Sequence, residues 1–283
     1  MGDVGAQRRC GGTHMTDAPL LVLQGVDVVY KHVVRAVRGI ALEVKRGQVV
    51  AILGANGAGK TTTLRAISGF IGLDHARVTA GTIVFKGEHL ENRLPHQITR
   101  LGISITPERD KVFPNLTVSE NMSVAPSRLT NAERKRTTDM VFQFFPALAA
   151  RRNSEAGLLS GGERQMLGIG AKLVCGPELL LVDELSLGLA PLITQELIAR
   201  LMQIKDELGL SLLLVEQNAA VALQMADYAY VFENGEIALE GDRAMMRGNR
   251  HIQELYLGGG AGGRRNYRDA RAAREVRGQH GRA

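Results

Sequence analysis

The sequence predicts an α/β fold, with a parallel sheet at its centre, an antiparallel β subdomain and an inserted α-helical subdomain. Three observations predict it. Val49–Leu53 and Leu179–Val182 are short apolar runs that read as strands buried on both faces. The first runs into the Gly-rich segment Gly54–Thr61 and the second into Asp183-Glu184. Between residues 115 and 157, strand-like alternation gives way to helix starts. At 283 residues and 45% hydrophobic content, the chain can fill one or two domains with a substantial core.

Residues 1–18 read as an unstructured leader, with Met15 as an alternative start. No apolar signal region precedes it, and Ala6 stands where a myristoylation motif needs Ser or Thr. Leu20–Tyr30 and Ile40–Val44 alternate and read as antiparallel strands. Val49–Leu53 follows as a buried strand, and Thr61–Ser68 as a helix. Thr82–Phe85 is a strand ending in a turn at Lys86-Gly87. Thr117…Glu120 and Thr130…Glu133 have capping-box spacing, which places a helical subdomain at about 110–158. Strands return at 179–183 and 211–215, with a helix across 191–207. Tyr228–Phe232 and Glu236–Glu240 flank Asn234-Gly235, a hairpin signal. The main domain is expected over 19–258 and a Gly/Arg-rich disordered tail over 259–283.

The net charge of +6 sits mostly in that tail. Residues 258–283 hold seven Arg against two acidic residues, a net +5, which leaves +1 for the rest. The globular part therefore lacks the broad basic excess of a nucleic-acid-binding domain, and nucleic acid is not an expected partner. The tail reads either as a solvated extension or as an electrostatic contact for anionic lipid or RNA. No run approaches the ~18 apolar residues that span a bilayer. Cys10 and Cys175 show no metal spacing and suggest a reducing compartment.

Gly54-Ala55-Asn56-Gly57-Ala58-Gly59-Lys60-Thr61 fits G-x-x-x-x-G-K-S/T at every fixed position. Triphosphate oxygens need several donors in a small volume. Backbone N–H groups of a tight loop supply them where no Cβ blocks the approach, hence Gly54, Gly57 and Gly59. Lys60 adds a point charge for the β- and γ-phosphates, and Thr61 offers a hydroxyl to Mg²⁺. Asn56 and Thr62 complete the candidate nucleotide contacts of this segment. Asp183 and Glu184 end the second buried run, at the sheet edge where open α/β folds bind ligands. Asp183 is expected to hold Mg²⁺, directly or through water. Glu184 is expected to orient or deprotonate the attacking water, with Lys60 as the second catalytic group. A Gly-rich turn, or an acidic pair facing solvent, would explain either element alone. The strand-and-helix context and the pairing of the two favour ATP chemistry.

Leu159-Ser160-Gly161-Gly162-Glu163 resembles the signature motif of the ATP-binding cassette (ABC) ATPases, with Glu in place of the usual final Gln. Ser160 and Glu163 also have capping-box spacing, so Ser160, Gly161 and Gly162 open a helix with unhindered N–H groups. An ordinary helix cap explains Ser160 and Glu163 but not two glycines in succession, each costing about 1 kcal/mol in a helix. The resemblance covers roughly residues 20–258. It implies that the signature closes on the γ-phosphate of ATP held by a partner subunit, that Tyr30 stacks on adenine, and that Glu108 stands at the Q-loop position as a Mg²⁺ sensor. It further implies that Ser186-Leu187-Gly188-Leu189 is the D-loop and that Gln217 occupies the catalytic switch position.

Glu108, Gln217, SLGLAP at 186–191 and VEQN at 215–218 together resemble one subgroup, the second (LivF-like) ATPase of branched-chain amino acid importers. TTTL at 61–64, FPNLTVSEN at 113–121, ENG at 233–235 and LYLG at 255–258 agree with it. Departures from the subgroup are Leu185 for Pro, Arg109-Asp110 for Gly-Arg, Arg164 for Gln and Ala171 for Arg. None removes a phosphate or Mg²⁺ ligand; Arg109-Asp110 falls where the family contacts its permease. A neutral Gln217 can donate to a phosphate oxygen but cannot carry a proton away, so Glu184 is expected to bear more of the water activation.

The resemblance thus implies an ATP- and Mg²⁺-dependent subunit that energises import of branched-chain or other hydrophobic amino acids. Its implied partners are a second, non-identical ABC ATPase, transmembrane permease subunits and, indirectly, a periplasmic solute-binding protein. Its implied place is the cytoplasmic face of the membrane. Two alternatives stand beside it. One is the ATPase of a urea or short-amide importer, or of another ABC system. The other is a regulatory subunit that binds ATP without turning it over.

Overall fold

The computed structural model describes residues 18–109, 111–249 and 252. The leader up to residue 17, Asp110, the LYLG stretch and the Gly/Arg-rich tail lie outside the described residues. Two sheets organise the fold. The first has the order β2-β1-β4-β5 and is antiparallel throughout: β1 (Leu21–Tyr30), β2 (Val34–Val44), β4 (Ala76–Phe85) and the short β5 (Glu88–His89). The second has the order β10-β9-β3-β8-β7-β6. In it β3 (Val49–Gly54), β6 (Ile103–Thr106), β7 (Leu179–Asp183), β8 (Ser211–Glu216) and β9 (Tyr228–Glu233) run parallel. Only β10 (Glu236–Asp242) is antiparallel, joined to β9 through Asn234 and Gly235, whose φ values of 52° and 84° suit a type I′ turn.

The parallel strands are apolar because helices and the other sheet cover both faces. Every residue of β3, β7 and β8 is buried. Alternation along β3 divides its side chains between cores. Val50 and Ile52 join Leu21, Phe85, Leu64 and Ile67, between the parallel sheet, the antiparallel sheet and α1 (Lys60–Ser68). Val49 faces the other way, with Leu180, Val182, Leu212 and Leu214, onto α6 (Gly161–Leu173) and α7 (Pro191–Leu208). Ala51 and Leu53 pack under α8 (Ala219–Met225) and α9 (Arg243–Gly248), against Ala222 and Met246. Each fully buried Leu or Ile contributes about 1.5–3 kcal/mol.

α3 (Val118–Val124), α4 (Asn131–Phe144) and α5 (Pro146–Ala150) build the helical insert, and α2 (Pro95–Leu101) precedes β6. Thr117 and Thr130 cap α3 and α4 as their spacing predicts, each in a reciprocal box with Glu120 or Glu133. Met122, Val141, Phe145 and Leu148 carry the insert's apolar face onto α6. Three cations converge on Glu178, just before β7. Arg46 from the β2–β3 turn, Lys86 from the β4–β5 turn and Arg128 from the α3–α4 connection lie 3.1, 2.6 and 3.2 Å from its carboxylate.

The sequence reading missed several elements. β2 begins at Val34, six residues before the expected Ile40, and β4 begins at Ala76 rather than Thr82. α2 and β6 were not expected at all.

Candidate active site

The C-terminal ends of β3, β7 and β8 meet the N-terminus of α1. β3 delivers Gly54, and the loop to Lys60 folds back over it. Lys60 is 5% exposed, and its Nζ donates to the carbonyls of Gly54 and Ala55 at 3.0 and 3.1 Å. Thr61 Oγ1 donates to Asp183 Oδ1 at 3.1 Å, which joins the start of α1 to the end of β7. Tyr30, at the end of β1, has its hydroxyl 3.2 Å from Thr62 Oγ1. Asn56 and Gly57 are exposed at the loop's tip. The expected reason for Gly54 was unhindered approach to phosphate. The structure adds a stronger one: a Cβ there would stand 2.5 Å from the carbonyl oxygen of Phe232 on β9.

Charge is concentrated in this corner. Burial pulls the Lys60 ammonium below the usual lysine range, and Glu184, Asp183, Glu216 and Glu108 oppose that pull. Burial pushes Asp183 up to about 6, against the hydrogen bond from Thr61, and Glu184 and Glu108 push the same way. Glu184 is half-buried and has φ 52°, a left-handed conformation uncommon outside glycine. Its N–H donates to the Val215 carbonyl at 2.9 Å. Gln217 is exposed, directly after β8. Glu108 is half-buried after β6.

Two residues near this corner had no role in the sequence reading. Glu216, 2% exposed, accepts from Ser186 N–H and Ser186 Oγ, both at 3.0 Å. Burial raises its carboxyl and the bonds from Ser186 lower it. The signal was legible: like Asp183, it is a carboxylate at the end of an otherwise apolar strand. Lys111 donates to Gln165 Oε1 on α6, and burial lowers its ammonium against the pull of Glu108, Asp183, Glu216 and Glu184. No pattern in sequence marks Lys111, since its contact is tertiary. Thr106 Oγ1 and Gln165 Nε2 are buried without a hydrogen-bond partner among the described residues.

The signature segment stands at the N-terminus of α6. Ser160 caps it in a reciprocal box: Ser160 N–H donates to Glu163 Oε2 at 2.8 Å and Glu163 N–H to Ser160 Oγ at 3.3 Å. Ser160 and Gly161 are exposed. Gly162 has a structural reason that sequence could not supply. A Cβ there would stand 2.7 Å from Ile193 Cγ2, so the first turn of α7 rests on this glycine. The second of the two glycines is therefore explained by packing, whatever its N–H does.

Thr61 and Asp183 offer hydroxyl and carboxylate oxygens, the hard donors Mg²⁺ takes. Among the described residues no group of three or more His, Cys, Asp or Glu could hold a metal unaided.

Comparison with known proteins agrees with this geometry. A family profile described as ABC transporter matches residues 37–186. The chain is 40% identical over 226 residues to the high-affinity branched-chain amino acid transport ATP-binding protein BraG of Pseudomonas aeruginosa, covering 80% of this chain and 94% of that one. It is 36% identical to the probable branched-chain amino acid transport ATP-binding protein LivF of Archaeoglobus fulgidus, covering 76% of this chain and 89% of that one. With LivG of the same organism, identity is 30% over 79% of this chain and 90% of that one. A crystal structure of the ADP conformation of an ATP-binding cassette of an ABC transporter superposes with a TM-score of 0.72 at 25% identity, covering 85% of this chain and 99% of that one. With its phosphate loop, strand-end carboxylates and helix-capped signature on this fold, the chain belongs to the ABC transporter family as an ATP-hydrolysing cassette.

Proposed function

We propose that this chain hydrolyses ATP to energise the import of branched-chain or other hydrophobic amino acids. The observation that carries this reading is the 40% identity to BraG across 94% of that protein. Glu108, Gln217 and the SLGLAP and VEQN stretches support it.

The chemistry follows from the residues. Backbone N–H groups of Gly54, Asn56, Gly57 and Gly59 and the Lys60 ammonium cradle the triphosphate. Tyr30 offers its ring to adenine, and Thr62 lies beside it. Thr61 and Asp183 would hold Mg²⁺, with Glu108 as its sensor; the ion would neutralise charge on the phosphate oxygens. Glu184 takes the proton of the water that attacks the γ-phosphorus as the bond to the β-bridging oxygen breaks. ADP and inorganic phosphate leave. Gln217 donates to a γ-phosphate oxygen without moving a proton. Ser160, Gly161 and Gly162 serve ATP held by a partner subunit, and Ser186–Leu189 lines the same interface.

That partner is a second, non-identical ABC ATPase. The higher identity to LivF than to LivG of one organism supports this. The pair works with permease subunits at the cytoplasmic face of the membrane, and a periplasmic solute-binding protein delivers the solute. Among the described residues no helix is long and apolar enough to cross a membrane. Deleting the gene tests the reading: uptake of labelled leucine, isoleucine and valine is expected to fall. Intact uptake of all three with loss of urea or short-amide uptake would move the chain to that related system.

A further inference from the structure

The segment just after β7 is bound at three points to the end of β8. Glu184 N–H donates to the Val215 carbonyl at 2.9 Å. Ser186 N–H and Ser186 Oγ both donate to the Glu216 carboxylate, each at 3.0 Å. Glu216 and Leu185 are 2% and 1% exposed, so the clamp is shielded from water. It spans the residues that follow the left-handed turn at Glu184. The negative charge of Glu184 opposes the burial that pulls down the Lys60 ammonium of the phosphate loop.

We infer that Glu216 is a positioning residue for hydrolysis: its carboxylate grips the Ser186 N–H and Oγ, which holds the left-handed turn at Glu184, and with it the Glu184 side chain, in one conformation beside the bond from Glu184 N–H to Val215. The same bonds set where Ser186–Leu189 begins. Both Glu216 oxygens are taken up by Ser186. The inference rests on Glu184 as the group that activates water.

The test is steady-state ATPase of the full chain assembled with its transporter partners. Glu216→Ala is expected to lower kcat on the order of tenfold or more, because a misplacement of about 1 Å at a reacting centre costs that much or more. KM for ATP is expected to stay within about twofold, since phosphate binding is untouched. Glu216→Gln keeps an oxygen for the Ser186 N–H and an amide that can donate to Ser186 Oγ, so it is expected to hold kcat within about threefold of wild type. Wild-type kcat in Glu216→Ala, or KM rising in step with the loss, overturns the inference. If thermal melting shows Glu216→Ala unfolded, Ser186→Ala decides: kcat down about threefold or more at constant KM supports it, and unchanged kcat rejects it. Glu184→Gln separates the two readings. Full turnover in Glu184→Gln removes the water-activation role itself. An inactive Glu184→Gln beside fully active Ser186→Ala and Glu216→Ala rejects only the clamp.

Discussion

β7 and β8 are neighbours, buried along their whole length, and each ends in a carboxylate followed by a second polar residue. Their ends behave differently. Asp183 meets one hydroxyl, from Thr61, and faces the corner that holds Lys60. Glu216 accepts two bonds from Ser186, the N–H on one oxygen and Oγ on the other. The residue after Asp183 is a half-buried acid in a left-handed turn; the residue after Glu216 is an exposed amide. Position at the sheet edge is thus common to both, and the number of converging donors decides which acid is left for ligands. A carboxylate already satisfied by backbone has little left to offer a metal ion or water.

Three sets of variants would break or sharpen that contrast. The largest concerns the residues after the two strand-end carboxylates. Glu184→Gln is expected to cut kcat by about 10²–10⁴-fold, the usual range for a lost general base. Gln217→Ala is expected to cost only about three- to tenfold, the loss of one hydrogen bond. ATPase assays of both variants check this, and equal, small effects would erase the distinction.

The next concerns Asp183 in the ligand-free chain. Its folded-state value of about 6 lies above the ordinary 3.8, so between those values the native state holds more protons than the unfolded state. Stability therefore falls as pH rises from about 4 to about 6 and stays reduced above that, by up to about 3 kcal/mol. Asp183→Asn is expected to melt higher than wild type at pH 8, to lose that advantage near pH 4, and to lose ATPase activity. Melting curves at both pH values check the sign. An Asn variant that melts lower at pH 8 would mean that Asp183, like Glu216, is already satisfied.

The smallest concerns Tyr30. Tyr30→Phe removes the contact with Thr62 and is expected to lower stability by about 0.5–1.5 kcal/mol while the ring remains. Denaturant unfolding measures the stability, and nucleotide binding tests whether the ring alone suffices for adenine.

The strands and helices that carry chemistry were legible because their signals are local. A five-residue apolar run before Gly54, a capping box at Ser160 and an Asn-Gly turn each need only a short window. The missed elements lack such windows. β6 is four residues long, and α2 is seven residues beginning with proline, too short to show a period. The first half of β2 is an edge with exposed Val34 and Arg35, so its alternation is broken. In the site, Glu216 was passed over because its partners lie 30 residues away in the chain. The clash that requires glycine at 162 comes from Ile193, on another helix.

The convergence on Glu178 has a mechanical consequence. One side chain is the meeting point of the antiparallel sheet's turn, the entry to β3 and the connection leading into α4. All four side chains there are 29–48% exposed, so each contact is worth no more than about 1 kcal/mol and weakens with salt. The fold has therefore placed a soft joint, rather than a weld, where the helical insert is tied to the two sheets. Ionic strength would therefore loosen this tie alone, while the buried packing of Met122, Val141, Phe145 and Leu148 on α6 would stay as it is.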